Sequence, residues 1–221
     1  MRVMKTIEIL GDILDDYYGE LYERYKIPAT YPKKVKSLLA EADGDDVEIN
    51  INSGGGDVFS GFEIYTAILQ YKGNVRINVT GLAASAASVI MCAGECYISP
   101  VGTVMVNCSA CYASGNHNDL EKTAETLKTI DESIANAYIA KTGMDRDKAI
   151  AMMEDTTWLT ADRAVELGLC DGYMKKVNTS AQAGEKSSDS KKNDKRASAM
   201  AAKAAKAKAR FLTMKGENAN V

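Results

Sequence analysis

Ser85 stands inside Gly81–Gly94, GLAASAASVIMCAG. The preceding run, Val75–Thr80 (VRINVT), is β-branched and alternating, and reads as a strand closed by Gly81. From Ala83 the residues are small and helix-favouring, so Ser85 falls at a strand-to-helix turn. Such a turn lifts a hydroxyl out of a sheet. It also leaves the N–H of the next residue, Ala86, without an intrahelical partner and able to stabilise negative charge. This is the logic of a nucleophile elbow, although the pattern is not G-x-S-x-G. A packing explanation competes, since small residues also permit close helix approach. The second feature is Ser53–Gly56 (SGGG), a glycine-rich loop directly after the strand Val47–Ile51. It suits either an anion held by backbone N–H groups or one half of an oxyanion hole. No Lys-Ser/Thr follows, which excludes a Walker-type loop. The oxyanion reading requires the N–H groups of Gly55 and Ala86 to converge on one point.

These two loops need a frame. Lys5–Leu10 alternates and reads as a first strand, and Leu14 to Ala42 as a helical region broken at Pro28 and Pro32. Phe59–Tyr71 is an amphipathic helix, and Cys96–Ile98 and Thr103–Val106 are short strands. Residues 107–116 form a loop before the longest helix, Asp119 to Thr142, which Gly143 ends. Asp145–Glu154 is helical, and Thr160 caps a further helix through Leu167. Strands and helices alternate, which argues an α/β domain over residues 1–178. Residues 179–221 are Lys-, Ala- and Ser-rich with little aliphatic bulk, and read as a flexible tail.

The chain of 221 residues is 46% hydrophobic and 26% charged, which suits one globular domain with an extension. The formal charge of −3 is uneven: the tail carries ten Lys/Arg against four Asp/Glu, and the body is acidic. The body therefore offers no general nucleic-acid surface, while the tail suits an acidic surface or simply water. Five cysteines and no secretory leader imply reduced cytoplasmic thiols. Cys92, Cys96, Cys108 and Cys111 can be drawn as a zinc set, but buried free thiols are the commoner reading, and no metal or cofactor is expected. No run reaches membrane-spanning length.

Taken together, NSGGGDVFSG (Asn52–Gly61), GLAASAAS (Gly81–Ser88) and WLTADRAVELGLCD (Trp158–Asp171) resemble the ClpP-type serine peptidases, and most nearly their phage and prophage branch. The likeness spans roughly residues 5–177. It implies a ClpP/crotonase-like fold of repeated ββα units with a protruding handle helix at Asp119–Thr142. It also implies assembly into a heptameric ring or double ring, a polypeptide substrate, and an ATP-driven unfoldase or phage head proteins as partners. Carried over residue by residue, Ser85 is the nucleophile, and Gly55 and Ala86 supply the oxyanion hole.

Two departures bear on activity. Where the family has a His after the strand that follows the serine helix, this chain has Asn107, in Met105–Cys108 (MVNC). An amide cannot accept and return a proton near neutral pH. The family acid falls at Thr156, with Asp155 beside it as the available carboxylate. The chain's single histidine, His117, lies ten residues on. The resemblance thus implies an endopeptidase subunit of capsid or scaffold processing, inactive or impaired by Asn107. The alternative is a non-catalytic assembly subunit of the same fold. A crotonase-like acyl-CoA enzyme is disfavoured, because no paired glutamates flank Gly55 or Ala86.

Overall fold

The computed structural model describes residues 4–175. The expected flexible tail lies outside the described residues. The described residues form eight strands and seven helices, in the order β1 (Lys5–Ile13), α1 (Asp16–Arg24), β2 (Ala29–Thr30), α2 (Pro32–Ala42), β3 (Val47–Gly56), α3 (Val58–Leu69), β4 (Val75–Ala84), α4 (Ala86–Ile90), β5 (Glu95–Ile98), β6 (Thr103–Val106), α5 (His117–Thr142), α6 (Arg146–Glu154), β7 (Thr157–Thr160), α7 (Ala161–Glu166) and β8 (Gly172–Tyr173). A 3-10 turn, Met91–Ala93, extends α4.

The strands form one sheet in the order β2-β1-β3-β4-β5-β8. Every pair on this path is parallel. β4 changes partner along its length. Arg76–Val79 pairs with β5, and Leu82–Ala84 pairs with β6. β7 then closes antiparallel on β6, with Val106 opposite Thr157. Residues of β3 alternate between buried and more exposed along the whole strand. A parallel sheet covered on both faces would read as a continuous apolar run, so this alternation means that the core packs mainly on one face. Ile7, Ile9, Ile49, Ile51, Ile77 and Val79 are fully buried there, in one cluster with Val35 and Leu39 of α2, Ile64 and Ile68 of α3, and Val89 and Ile90 of α4. On the other face, Asn50 Nδ2 donates to Glu8 (2.9 Å) and Asn78 Nδ2 to Glu48 (2.7 Å), a polar ladder across β1, β3 and β4.

Four elements differ from the sequence reading. The region 14–42 is not one interrupted helix, because β2 intervenes between α1 and α2. Thr30 anchors that short strand: its hydroxyl lies 3.0 Å from the Leu10 N–H and 3.1 Å from the Leu10 carbonyl. β3 runs through the SGGG segment to Gly56, and β4 runs past Gly81 to Ala84. Both continue because each still has a neighbour to pair with, Asp12–Ile13 for Gly55–Gly56 and β6 for Leu82–Ala84. The long helix starts two residues earlier than expected, where the Asn116 side chain accepts the N–H groups of Asn118 and Asp119, and Asp119 accepts that of Asn116.

Ile51 is fully buried in β3 and pairs with Val79, the last pair before the β3–β4 register shifts. Ile51→Ala is expected to cost about 2–5 kcal/mol of unfolding free energy. A urea titration followed by circular dichroism measures it as a lowered midpoint.

Candidate active site

The site is made by strand ends. β3 and β4 stay in register from Val47/Val75 to Ile51/Val79, then slip, so that Ser53 pairs with Ala83. Side chains bridge the slip: Asn52 Oδ1 accepts the Leu82 N–H (3.0 Å), and Thr80 Oγ1 donates to the Ile51 carbonyl (3.1 Å). The extra length in β4 carries Ser85 over the end of β3. Its backbone has φ 53° and ψ −126°, a conformation that L side chains rarely adopt. Its N–H donates to the Met105 carbonyl of β6 (2.9 Å), and this bond fixes the turn beside Asn107 two residues on.

Glycine lets β3 end against this turn. Gly55 has φ +93°, and a Cβ there would stand 2.6 Å from Ala84 O, 2.7 Å from Ser85 Cβ and 3.0 Å from Ala86 N. The two glycine-bearing loops are therefore in contact, as the oxyanion reading requires. The Gly55 N–H assigned to the oxyanion hole already has a partner, however. It is engaged by Ser53 Oγ (3.1 Å), whose own proton goes to the Gly11 carbonyl (2.6 Å). The glycine that lines the cavity is Gly56, one residue on. Asp57 then caps α3, accepting Ser60 N–H and Oγ–H at 2.8 and 2.6 Å.

The cavity has a volume of about 340 Å³, and Gly56, Ser85, Ala86, Asn107, Cys108 and Tyr138 are among its lining residues. Val58, Val89 and Ile134 supply an apolar wall. Among the described residues, nothing hydrogen-bonds Ser85 Oγ or the Asn107 side chain. Of the residues expected from sequence, Ser85, Ala86 and Asn107 are thus brought together. Asp155 is not: it is exposed, ends α6 and does not line the cavity. Continuing the β6–β7 register places Thr156 across from Asn107. Thr156 has φ 48°, a strained setting for a β-branched residue. His117 is exposed on the first turn of α5, away from the cavity lining.

Sequence reasoning missed Cys108 and Ser109 as cavity residues. It assigned Tyr138 only to a helix face, since helical spacing does not say what that face meets. The segment after Asn107 is pinned to α5 by Asp131, which accepts the Ser109 N–H (2.6 Å) and Oγ–H (2.7 Å). Burial, then the negative charge of Asp131, pushes the Cys108 thiol up to about 11. The zinc set does not assemble. Cys92 is buried, Cys111 is exposed, and Cys96 Sγ instead lies 3.9 Å from Cys170 Sγ. Among the described residues no three His, Cys, Asp or Glu side chains are grouped to hold a metal. No described helix is long and apolar enough to cross a membrane.

This geometry can be set beside known proteins. The family model described as Clp protease matches residues 26–177. The chain belongs to the Clp protease family. An ATP-dependent Clp protease proteolytic subunit of Bacteroides fragilis is 30% identical over 175 residues, covering 78% of this chain and 80% of that one. An ATP-dependent Clp protease proteolytic subunit 1 of Chlamydia abortus is 32% identical over 151 residues, 66% of this chain and 79% of that one. In fold, the chain is similar to a point mutant of ClpP1 from Listeria monocytogenes, with a TM-score of 0.65 over 77% of this chain and 91% of that one, at 24% identity. The Clp protease family assignment and the mixed α/β ClpP-like fold agree with the resemblance read from the three motifs.

A thiol reacts as its thiolate. Alkylation of Cys108 by iodoacetamide should therefore be slow at pH 8 and rise about tenfold per pH unit until near pH 11, read by peptide mass spectrometry. Asp131→Asn should move that rise to lower pH, because it removes the charge that opposes the thiolate.

Proposed function

We propose that this chain is a serine peptidase subunit of ClpP type whose turnover is crippled by Asn107. The observation that carries the reading is the shared cavity: Ser85, on strained backbone and with its hydroxyl unbonded, beside the first amide of a helix, with Gly56 and Asn107 lining the same cavity. In the proposed step, Ser85 Oγ attacks the carbonyl carbon of a peptide bond. Ala86 N–H, together with the glycine corner of β3, stabilises the negative oxygen. Because Gly55 N–H is engaged by Ser53, we assign that second contribution to the Gly56 side of the corner. Collapse of the tetrahedral intermediate expels the amine, which needs a proton, and leaves an acyl-serine for water to hydrolyse. The serine proton has to be taken up and then delivered to that amine. Asn107 can do neither at neutral pH, whereas an imidazole at the same place does both.

The substrate proposed is an unfolded polypeptide, by analogy with relatives named as proteolytic subunits of ATP-dependent Clp protease. The printed ATP dependence of those relatives supports an ATP-driven partner, and the motif resemblance supports a ring-forming subunit working in the cytoplasm. The likeness of the motifs to phage and prophage members supports capsid or scaffold processing as the setting. A second reading, a non-catalytic assembly subunit, is favoured by the same Asn107 and by the exposure of Asp155. Under it, Ser85→Ala changes nothing measurable and disruption of α5 abolishes assembly.

Asn107→His, combined with Thr156→Asp to supply an orienting carboxylate, should raise cleavage of a casein-like substrate by about 10²–10⁴-fold over the unaltered chain. Asp also tolerates the positive φ at 156 better than Thr does. Adding Ser85→Ala should return the rate to background. Fluorophosphonate labelling of Ser85, read by mass spectrometry, should rise in parallel. If the double substitution yields neither cleavage nor labelling in a folded protein, the non-catalytic reading replaces the peptidase one.

A further inference from the structure

We infer that Ser88 and Tyr138 are positioning residues for Ser85, forming a relay of two hydroxyls by which the long helix α5 holds the serine turn. The inference deepens the peptidase reading and rests on Ser85 as the nucleophile.

The Ser85 carbonyl accepts from the Ser88 N–H (2.8 Å), the Val89 N–H (3.4 Å) and the Ser88 hydroxyl (2.6 Å). The Ser88 hydroxyl has one proton and donates it there. Its second contact, 2.8 Å to the Tyr138 hydroxyl, is therefore donated by the tyrosine. The direction is fixed: Tyr138 O–H to Ser88 Oγ, and Ser88 O–H to the carbonyl of Ser85. Both residues are buried, at 0% and 2% exposure. Burial pushes the Tyr138 phenol upward, so it stays protonated and remains a donor. A serine that bonds back to a carbonyl three residues earlier is common in helices. The tyrosine is not a local feature, because it arrives from α5, fifty residues along the chain.

The same helix also holds the segment after Asn107. Asp131 and Tyr138 are seven residues apart on α5, and Ile134, between them, lines the cavity. Asp131 binds Ser109 and so fixes the segment that begins at Asn107. Tyr138 binds Ser88 and so fixes the carbonyl of Ser85. The buried residues of α5 are Ile134, Ala135, Ala137 and Tyr138, all in its second half. The β4–β6 pairing and the Ser85 N–H bond to Met105 set the spacing between position 85 and position 107. In this arrangement α5 braces that spacing from behind, through Tyr138 at the Ser85 turn and through Asp131 at the Asn107 segment.

The test uses the full chain in two forms, unaltered and carrying Asn107→His with Thr156→Asp. Tyr138→Phe keeps the ring and removes only the donated proton. Ser88→Ala removes the bond to Ser85. Each should lower the rate of fluorophosphonate labelling of Ser85 about tenfold in the substituted form. Combining them should cost no more than the worse single change, because they cut one relay. Loss should fall on kcat with KM held. A control, Ile9→Val on β1, should lower Tm and leave labelling untouched, which separates positioning from general stability. In the unaltered chain, backbone hydrogen exchange of residues 85–89 should quicken in Tyr138→Phe and Ser88→Ala. Unchanged labelling in a parent that does label overturns the proposal, whatever exchange shows. Absence of labelling in the parent overturns the nucleophile reading instead. Exchange in the unaltered chain then decides the relay: faster exchange supports it as the brace of this turn, and unchanged exchange overturns it.

Discussion

The slip between β3 and β4 is the constraint on which the rest of the site depends. Up to Ile51 and Val79 the two strands pair residue for residue. After that point β4 gains length, and it also exchanges β5 for β6 as its other neighbour. One strand end is thereby held from two sides. Its last residues reach over Gly55 on one flank and donate to Met105 on the other. The positive φ at Ser85 follows from this geometry, since the chain must leave a paired strand and enter a helix within one residue. Such strain persists only where surrounding bonds over-determine it. Here the bonds run to β6 through the Ser85 N–H and to α4 and α5 through its carbonyl.

The location obeys a general rule of open parallel sheets. Sites form outside the carboxyl ends of the strands, where loops from neighbouring units converge. Gly56 closes β3, Ala84 closes β4 and Val106 closes β6, and the site residues follow within a residue or two of each end. The sheet itself is rigid because its buried face is almost wholly Ile and Val packed on α2, α3 and α4. That rigidity lets small features, such as one glycine or one hydroxyl, set atomic positions at the rim. Family membership and geometry meet at this rim. The cavity holds Ser85 and the amide of Asn107, the pair on which the peptidase proposal rests.

Much of this was legible along the chain. The alternation of Val47–Ile51 and of Val75–Thr80 marked both strands, because one face of the sheet is buried and a period of two follows. The reading of the longest helix as Asp119–Thr142, ended by Gly143, falls within two residues of α5. Other features were not legible. β2 is two residues long, too short for any periodicity, and exists because Thr30 can satisfy Leu10. The persistence of β3 through three glycines contradicts their local tendency, and only pairing with Asp12 and Ile13 explains it. The bond from the Gly55 N–H to the Ser53 hydroxyl is likewise one that no spacing reveals.

What the sequence alone determined is therefore chemical identity: a serine at a strand-to-helix turn, a glycine corner, and Asn107 and Thr156 at the positions that the resemblance assigns to the base and the acid. These are properties of residue type and order, and order survives in the unfolded chain. What only the tertiary structure decided is which of those groups face one another. Asp155 is turned to solvent, Asn107 lines the same cavity as Ser85, and Tyr138, far along the chain, reaches the hydroxyl behind the serine. The reason is physical. Those meetings are set by strand register and by the packing of α5 against α4, and both are cooperative, long-range outcomes that no local pattern encodes.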